Sequence, residues 1–121
     1  MRDIQLNQSK KIITVENPIE FVYPHDGKGL VIQRAIPEDC LSFGDGLTSA
    51  MRSAPNIILI GEVRNRKEVD ELLRASETGH LAVSTIHTSN NVTTLNRIRS
   101  LYEGDEQRRI LATLGDNLRG I

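Results

Sequence analysis

The chain has 121 residues, of which 38% are hydrophobic, which is enough for the core of one domain but leaves no room for a second. A net charge of -1, with only two Tyr, two Phe and no Trp, argues against a protein that holds nucleic acid by neutralising phosphates or stacking bases. Because Cys40 is the single cysteine, no intrachain disulfide can form, and with no signal-peptide or transmembrane segment in the sequence we predict a cytosolic protein.

The first half of the chain predicts, in order, a frayed polar lead-in, a buried strand, a peripheral hairpin and a helix: Met1 to Lys11, Ile12 to Val15, Phe21 to Tyr23 paired with Leu30 to Gln33, and Asp39 to Ala54. The strand is a mostly β-branched run, and the hairpin follows from two apolar runs joined through a glycine-containing loop. The helix keeps apolar residues at helical spacing, although its two glycines each cost about 1 kcal/mol relative to alanine.

The second half predicts two buried strands and three helices: Ile57 to Ile60, Arg66 to Glu77, Leu81 to Ile86, a helix capped by Ser89 or Asn90 and ended by Gly104, and a last helix capped by Asp105. The first of these strands is wholly aliphatic, as in a parallel sheet buried on both faces. The helix after it carries one apolar stripe, so strand, helix and strand predict a βαβ crossover. The chain stops at Ile121 directly behind an amphipathic pattern, which predicts a truncated product.

This order of elements predicts an α/β fold with a mainly parallel sheet, and such sheets bind ligands outside the carboxyl ends of their strands. Glu16 and Glu62 follow two of the predicted strands there, and His87 follows the third. Pro18 predicts a stiff bend with Glu16 and Glu20 on its two sides. The sequence contains no phosphate-cradling loop of the form G-x-x-x-x-G-K-[S/T].

Three stretches carry a family resemblance: Ile-Thr-Val-Glu-Asn-Pro-Ile-Glu-Phe at 13–21, Ile-Ile-Leu-Ile-Gly-Glu-Val-Arg at 57–64, and Thr-Gly-His-Leu-Ala-Val-Ser-Thr-Ile-His-Thr at 78–88. With them the chain resembles the secretion-superfamily ATPases, most of all the type IV pilus retraction ATPases and their conjugation and type IV secretion relatives. In that family the first stretch is called the Asp box, the second the Walker B box and the third the His box. The resemblance implies that residues 1–121 are a partial RecA-like P-loop NTPase core without its Walker A loop or amino-terminal domain.

The resemblance also implies roles for individual residues. Glu20 matches the glutamate that polarises the attacking water, with Glu16 as its companion, and Glu62 matches the Walker B glutamate that holds Mg²⁺ through water. Asn17 and Asn65 stand where the motifs commonly have Asp, and each removes the charge that an ion pair at that position would need. The expected nucleotide-binding residues are Arg64, His87 and His80, to which we add Arg52 as a charge directed at a neighbouring subunit.

The implied working form is a hexameric ring that hydrolyses ATP with Mg²⁺ and moves pilin or secretion machinery. Its expected place is the cytoplasmic side of a bacterial inner membrane, where it contacts pilus or secretion proteins and not nucleic acid. Without a Walker A loop the isolated chain is predicted to be inactive. The alternative is a catalytically silent RecA-like module that only assembles with partners.

Each candidate residue also has a structural interpretation. Glu62 can be a solvated strand-end carboxylate, Glu20 a surface residue, and Glu16 an acceptor for backbone groups at the bend. His80 and His87 are seven positions apart, so on one continuous strand they face opposite sides and do not share a zinc ion. His87 either senses the γ-phosphate or links neighbouring strands, whereas His80 suits a hydrogen-bonded structural role.

Overall fold

The computed structural model describes every residue from Met1 to Ile121. In chain order its elements are α1 (Arg2–Asn7), β1 (Lys11–Glu16), β2 (Leu30–Ala35), α2 (Phe43–Met51), β3 (Ile57–Ile60), α3 (Arg66–Glu77), β4 (Leu81–Ser84), α4 (Asn91–Arg99) and α5 (Glu106–Asn117). None of these helices combines the length and apolar character needed to cross a membrane.

The four strands form one sheet in the order β2-β1-β3-β4, and every neighbouring pair is parallel. Val15 of β1 is in register with Ile60 of β3, and Ile60 is in register with Ser84 of β4. The carboxyl ends of the strands therefore meet at one edge of the sheet. The predicted α/β class is confirmed, with a sheet that is wholly parallel.

Successive residues of β1 point to opposite faces of the sheet and build two layers of core. Ile13 packs with Ile58 and with α2 and α3, whereas Ile12 packs with Ile57 on the face covered by α1. Ile12, Ile13 and Ile58 have no exposed surface, and full burial of a side chain of this size stabilises the fold by about 1.5–3 kcal/mol. A third cluster lies between α3, α4 and α5.

Gly46 explains why α2 tolerates glycine in its interior. A Cβ at this position would come within 2.6 Å of Val15 Cγ1, which is closer than real Cβ atoms approach a neighbour, and 3.0 Å from Cys40 Sγ, which is a tight contact. Glycine therefore lets α2 pack directly on the carboxyl end of β1, and this packing offsets the helix propensity that it costs.

The predicted hairpin is wrong. Phe21 to Tyr23 does not form a strand, and Leu30–Ala35 joins the main sheet as β2, parallel to β1. The Tyr23 N–H and the Phe21 carbonyl are bonded to the side chain of Gln33 and not to a partner strand. The connection from Asn17 to Gly29, about a dozen residues, is long enough to return the chain to the start of a parallel strand.

The predicted frayed lead-in is also wrong, because residues near the amino terminus form α1. Gln5 has no exposed surface, and its Nε2 donates to the Pro24 carbonyl (2.5 Å), while its own carbonyl accepts the Gly29 N–H (2.8 Å). Arg2 forms an ion pair with Asp26 at 2.6 Å. A polar sequence thus anchors the β1–β2 connection through hydrogen bonds, which hydrophobic patterning does not detect.

Other boundaries agree closely with the sequence or differ at one end. Ile57–Ile60 and Arg66–Glu77 have the predicted limits, and Asn90 caps α4 as expected. The helix predicted from Asp39 begins at Phe43, because the Ser42 side chain accepts the Asp45 N–H and caps it there. β4 ends at Ser84 instead of Ile86.

The early end of β4 has a local cause. The Ser84 hydroxyl donates to the Ile60 carbonyl (3.0 Å) and the Thr85 hydroxyl donates to the Gly61 carbonyl (2.6 Å). Side-chain bonds thereby add to the backbone pairing where the two strands finish. At the other end of the chain, Asp105 makes no side-chain capping bond to α5.

Candidate active site

Three neighbouring strands deliver polar side chains to the carboxyl edge of the sheet. Glu16 is the last residue of β1, and Glu62 follows β3 after a single glycine. The Gly61 N–H donates to the Val15 carbonyl (2.8 Å), which continues the β1–β3 pairing to the point where both carboxylates leave the sheet. This edge is where an α/β sheet binds its ligand.

The Glu62 carboxylate lies beside a guanidinium and an imidazole. Its Oε1 forms an ion pair with the Arg64 guanidinium, and its Oε2 lies 3.6 Å from His87 Nε2. The hydrogen bond from Arg64 lowers the pKa of Glu62 below its ordinary value, so this carboxylate is charged at neutral pH. The structure therefore joins three of the predicted site residues in one cluster.

The turn that carries Glu62 and Arg64 is fixed from two sides. The Val63 N–H donates to the Thr85 carbonyl beyond β4 (2.9 Å). The buried Glu68 carboxylate accepts the Arg64 N–H (2.6 Å) and the Asn65 N–H (3.2 Å), while Asn65 Oδ1 accepts the Glu68 N–H (3.1 Å).

This reciprocal arrangement is a capping box at the start of α3. Asn65 fills the capping position with an amide, so the box does not need the Asp that is common there. Sequence reasoning missed Glu68, although the Asn-x-x-Glu spacing ahead of an apolar stripe was a usable signal.

Glu16 is half-buried and oriented by two donors to the same oxygen. Thr14 Oγ1 donates to Glu16 Oε1 at 2.6 Å, and Gln33 Nε2 donates to it at 3.0 Å. Neither Thr14 nor Gln33 was among the predicted site residues. Their sequence contexts are ordinary strand positions, and only the pairing of β1 with β2 brings Gln33 to Glu16.

Glu20 lies in the β1–β2 connection with an exposed side chain. It makes no hydrogen bond or ion pair, and the structure does not join it to the Glu62 cluster. Its backbone is nevertheless close to an anchored point, because the carbonyl of the next residue, Phe21, accepts a hydrogen bond from Gln33 (2.8 Å).

Arg52 and His80 lie near the amino ends of the strands, at the opposite end of the sheet from the Glu62 cluster. Arg52 ends α2 next to Ser53, whose carbonyl accepts Lys11 Nζ at the start of β1 (2.6 Å). His80 precedes β4, with its Nδ1 3.1 Å from the Ala75 carbonyl and 3.1 Å from Thr78 Oγ1. Neither residue joins the Glu62 cluster within one chain, and His80 and His87 flank β4 at its two ends.

Comparison with known proteins supplies a family for this fold and site. The family model described as type II/IV secretion system protein matches residues 3–115, nearly the whole chain. The chain belongs to this family. The motif-based resemblance to the secretion-superfamily ATPases is thereby confirmed.

Relatives within the type II/IV secretion system family include pilus motors. The type IV pilus retractation ATPase PilT of Pseudomonas aeruginosa is 38% identical over 118 residues, covering 96% of this chain and 34% of PilT. A twitching motility protein of Neisseria gonorrhoeae is 36% identical over 118 residues, covering 98% of this chain and 31% of the relative. The chain thus spans about one third of the length of these family members.

Solved structures of the family share the fold. The pilus retraction motor PilT with bound ADP superposes with a TM-score of 0.93 at 40% identity, covering 98% of this chain and 34% of that protein. The ATPase DotB of Legionella pneumophila gives a TM-score of 0.91 at 31% identity, covering 98% of this chain and 33% of DotB. The parallel sheet and its helices therefore form the same fold as in these ATPases.

Proposed function

We propose that this chain supplies the carboxylate side of the nucleotide site in a motor ATPase that drives a pilus or a secretion machine. The observation that carries the proposal is the Glu62 cluster. An ionised carboxylate just after the carboxyl end of β3 is paired with Arg64 and lies next to His87, at the ligand-binding edge of the sheet. Relatives of the chain are ATPases, and one solved relative contains ADP.

Phosphoryl transfer needs positioned charge more than covalent chemistry. In our proposal Glu20 orients the attacking water and accepts its proton, and Glu16 provides negative charge beside it. The Arg64 guanidinium and His87 donate to phosphate oxygens, for which a fork of N–H donors is well suited. Arg52, at the opposite edge of the sheet, would act only on a nucleotide held by a neighbouring subunit.

Mg²⁺ fits this edge with the Glu62 carboxylate binding it through a water molecule. The structure contains no cluster of three or more His, Cys, Asp or Glu side chains arranged to hold a metal, so no all-protein cage is present. Mg²⁺ in nucleotide sites is held through one or two carboxylates, waters and the substrate phosphates, which one carboxylate at Glu62 satisfies. When bound it would neutralise charge on the phosphate oxygens.

The rest of the machine belongs to the same proposal. The sequence has no G-x-x-x-x-G-K-[S/T] loop, so we propose that additional polypeptide provides the loop whose backbone amides and lysine hold the phosphates. We further propose that the complete protein forms a homohexamer and works on the cytoplasmic side of the inner membrane. Pilus or secretion proteins of that membrane are its proposed partners.

The experiment that tests this function is a chimera in which the chain replaces the matching third of Pseudomonas aeruginosa PilT, here named the PilT chimera. We expect the PilT chimera to hydrolyse ATP in the presence of Mg²⁺, and the isolated chain to bind Mg-ATP weakly and to hydrolyse none. A folded chimera without ATPase activity would contradict the proposal. Micromolar binding of Mg-ATP to the isolated chain would contradict the proposed need for an external loop.

A catalytically silent assembly module is the second candidate. It is favoured by one specific observation, the exposed Glu20 side chain without any partner. The two candidates differ in the PilT chimera, because an assembly module would restore subunit association without turnover. Measuring both hexamer formation and ATP hydrolysis on the same preparation separates them.

A further inference from the structure

Gln33 on β2 makes three hydrogen bonds with its side-chain amide. Its Nε2 donates to Glu16 Oε1 (3.0 Å) and to the Phe21 carbonyl (2.8 Å), and its Oε1 accepts the Tyr23 N–H (2.8 Å). A glutamine amide has two N–H donors and one carbonyl oxygen, so both donors and the acceptor oxygen are engaged. From its position on β2, Gln33 is the one side chain that bonds both the end of β1 and the connection between β1 and β2.

These bonds close a short arc of backbone. The arc runs from Asn17 to Glu20; Glu16 is the residue before it and Phe21 is the residue after it. Gln33 Nε2 donates to the side-chain carboxylate of Glu16 and to the backbone carbonyl of Phe21, so one amide links the side chain before the arc to the backbone after it. The Glu20 side chain is exposed and makes no hydrogen bond or ion pair of its own.

We propose that Gln33 is the positioning residue for Glu20, an inference that rests on the proposed function of the site. The amide fixes the arc relative to β1 and so sets where the Glu20 carboxylate can meet the attacking water. A displacement of about 1 Å at such a group can lower a rate by about a hundredfold, so a tie of this kind has a large effect on turnover.

The second half of the connection is anchored independently. The Gln5 side chain donates to the Pro24 carbonyl, and the Gln5 backbone carbonyl accepts the Gly29 N–H. Arg2 forms an ion pair with Asp26. Loss of the Gln33 amide should therefore free residues 17–22 and release the Tyr23 N–H, while β2 and the rest of the connection stay in place. Gln33→Met keeps the length of the side chain and removes all three hydrogen bonds, and we expect this variant to fold.

The first test is amide hydrogen exchange by NMR on the 121-residue chain. In Gln33→Met the Tyr23 amide should exchange about five- to tenfold faster, the effect of losing one hydrogen bond, while the Ile58 amide in β3 is unchanged. Gln8→Met is the matched control, because Gln8 is exposed and its side chain makes no hydrogen bond. Unchanged exchange at Tyr23 in Gln33→Met would overturn the inference.

The second test is steady-state ATP hydrolysis by the PilT chimera. Gln33→Met should lower kcat at least about tenfold and leave KM for ATP within about twofold, because the arc positions a catalytic group and does not hold the phosphates. Gln8→Met should match the unmodified chimera. An active chimera whose kcat survives Gln33→Met would overturn this inference and leave the proposed function standing. An inactive unmodified chimera would overturn the proposed function. Hydrogen exchange on the 121-residue chain would then still test whether Gln33 holds the arc.

Discussion

His87 Nε2 lies 3.6 Å from Glu62 Oε2, so a residue three positions beyond β4 reaches the carboxylate that lies just beyond β3. The contact sits on a set of cross-strand bonds in which Thr85 donates its hydroxyl to the Gly61 carbonyl and accepts the Val63 N–H. The end of the His box is thus joined to the end of the Walker B strand. Of the two roles that the sequence left open for His87, the link between neighbouring strands has a direct contact in the structure.

Glu62→Gln in the PilT chimera should weaken the Mg²⁺ dependence of ATP binding and lower turnover at least about tenfold. The amide keeps the size of the side chain but loses the charge that attracts the cation and pairs with Arg64. Calorimetric titration of ATP with and without Mg²⁺, together with hydrolysis rates, measures both effects. Glu103→Gln, at an exposed turn residue without side-chain partners, is the matched control. Unchanged Mg²⁺ dependence would make Glu62 a solvated strand-end carboxylate.

Tyr102→Phe should destabilise the chain by about 1 kcal/mol, because the buried hydroxyl donates to Asp70 Oδ1 at 2.7 Å. Burial, and then this hydrogen bond, raise the pKa of Tyr102, so the phenol stays protonated and remains a donor. Urea unfolding monitored by circular dichroism gives the change in midpoint. Tyr23→Phe is the control, since its hydroxyl makes no hydrogen bond; an equal loss in both variants would contradict the assignment.

The pair between Arg66 and Glu106 should make part of the stability dependent on acid pH. Arg66 bonds both carboxylate oxygens of Glu106 (2.8 and 2.6 Å), joins α3 to α5, and lowers the pKa of Glu106. Because the folded pKa is below the unfolded value of about 4.3, the stabilisation is present above that pH and is lost as pH falls through the folded pKa.

Glu106→Gln should therefore be less stable than the wild type at pH 7, and the difference should shrink at pH 3, because acid favours protonation of Glu106. Both side chains are about half exposed, so the difference is small and should shrink further in high salt. Denaturant midpoints at the two pH values measure it. A difference of the same size at pH 3 would show that the loss comes from packing and not from charge.

The isolated chain should self-associate through the β4 edge of the sheet. β4 pairs only with β3, and a groove of about 830 Å³ runs beside it, lined mainly by apolar side chains from β4 and the surrounding helices. An unpaired parallel edge with an exposed Leu81 favours pairing with another chain.

Light scattering over a range of concentrations measures this association. Leu81→Lys should reduce it, because a charge on an edge strand opposes pairing. Leu41→Lys is the control, since Leu41 is more exposed but lies outside the sheet. A wild-type chain that stays monomeric at every concentration would contradict the expectation.

Sequence patterns located the parts of the fold that are governed by local rules. Ile57–Ile60 was recognisable as an aliphatic run between a proline and a glycine, and the helix Arg66–Glu77 from one apolar stripe ending near Gly79. β2 was misassigned because a short apolar run does not reveal its partner. Its pairing depends on how Gln5 and Gln33 fold the preceding connection, and those contacts join residues far apart in the sequence.

The candidate site divides in a similar way. Glu16, Glu62 and His87 could be predicted to share one edge because they follow predicted strands, and the carboxyl ends of parallel strands meet. Glu68 and Gln33 were missed because their importance comes from which backbone groups they bind. Arg52 and His80 were chosen for chemistry or motif position, and the structure places them at the other edge of the sheet. Their proposed contacts with nucleotide remain predictions.

The most direct measurement of the central claim, that this chain contributes catalytic carboxylates, is single-turnover ATP hydrolysis by the PilT chimera with Glu20→Gln. The amide keeps the size and polarity of the side chain but cannot take a proton from water, so we expect hydrolysis to fall about a hundredfold while ATP affinity stays within about twofold. Glu103→Gln should leave both unchanged. Hydrolysis retained at the unmodified rate in Glu20→Gln would contradict the account.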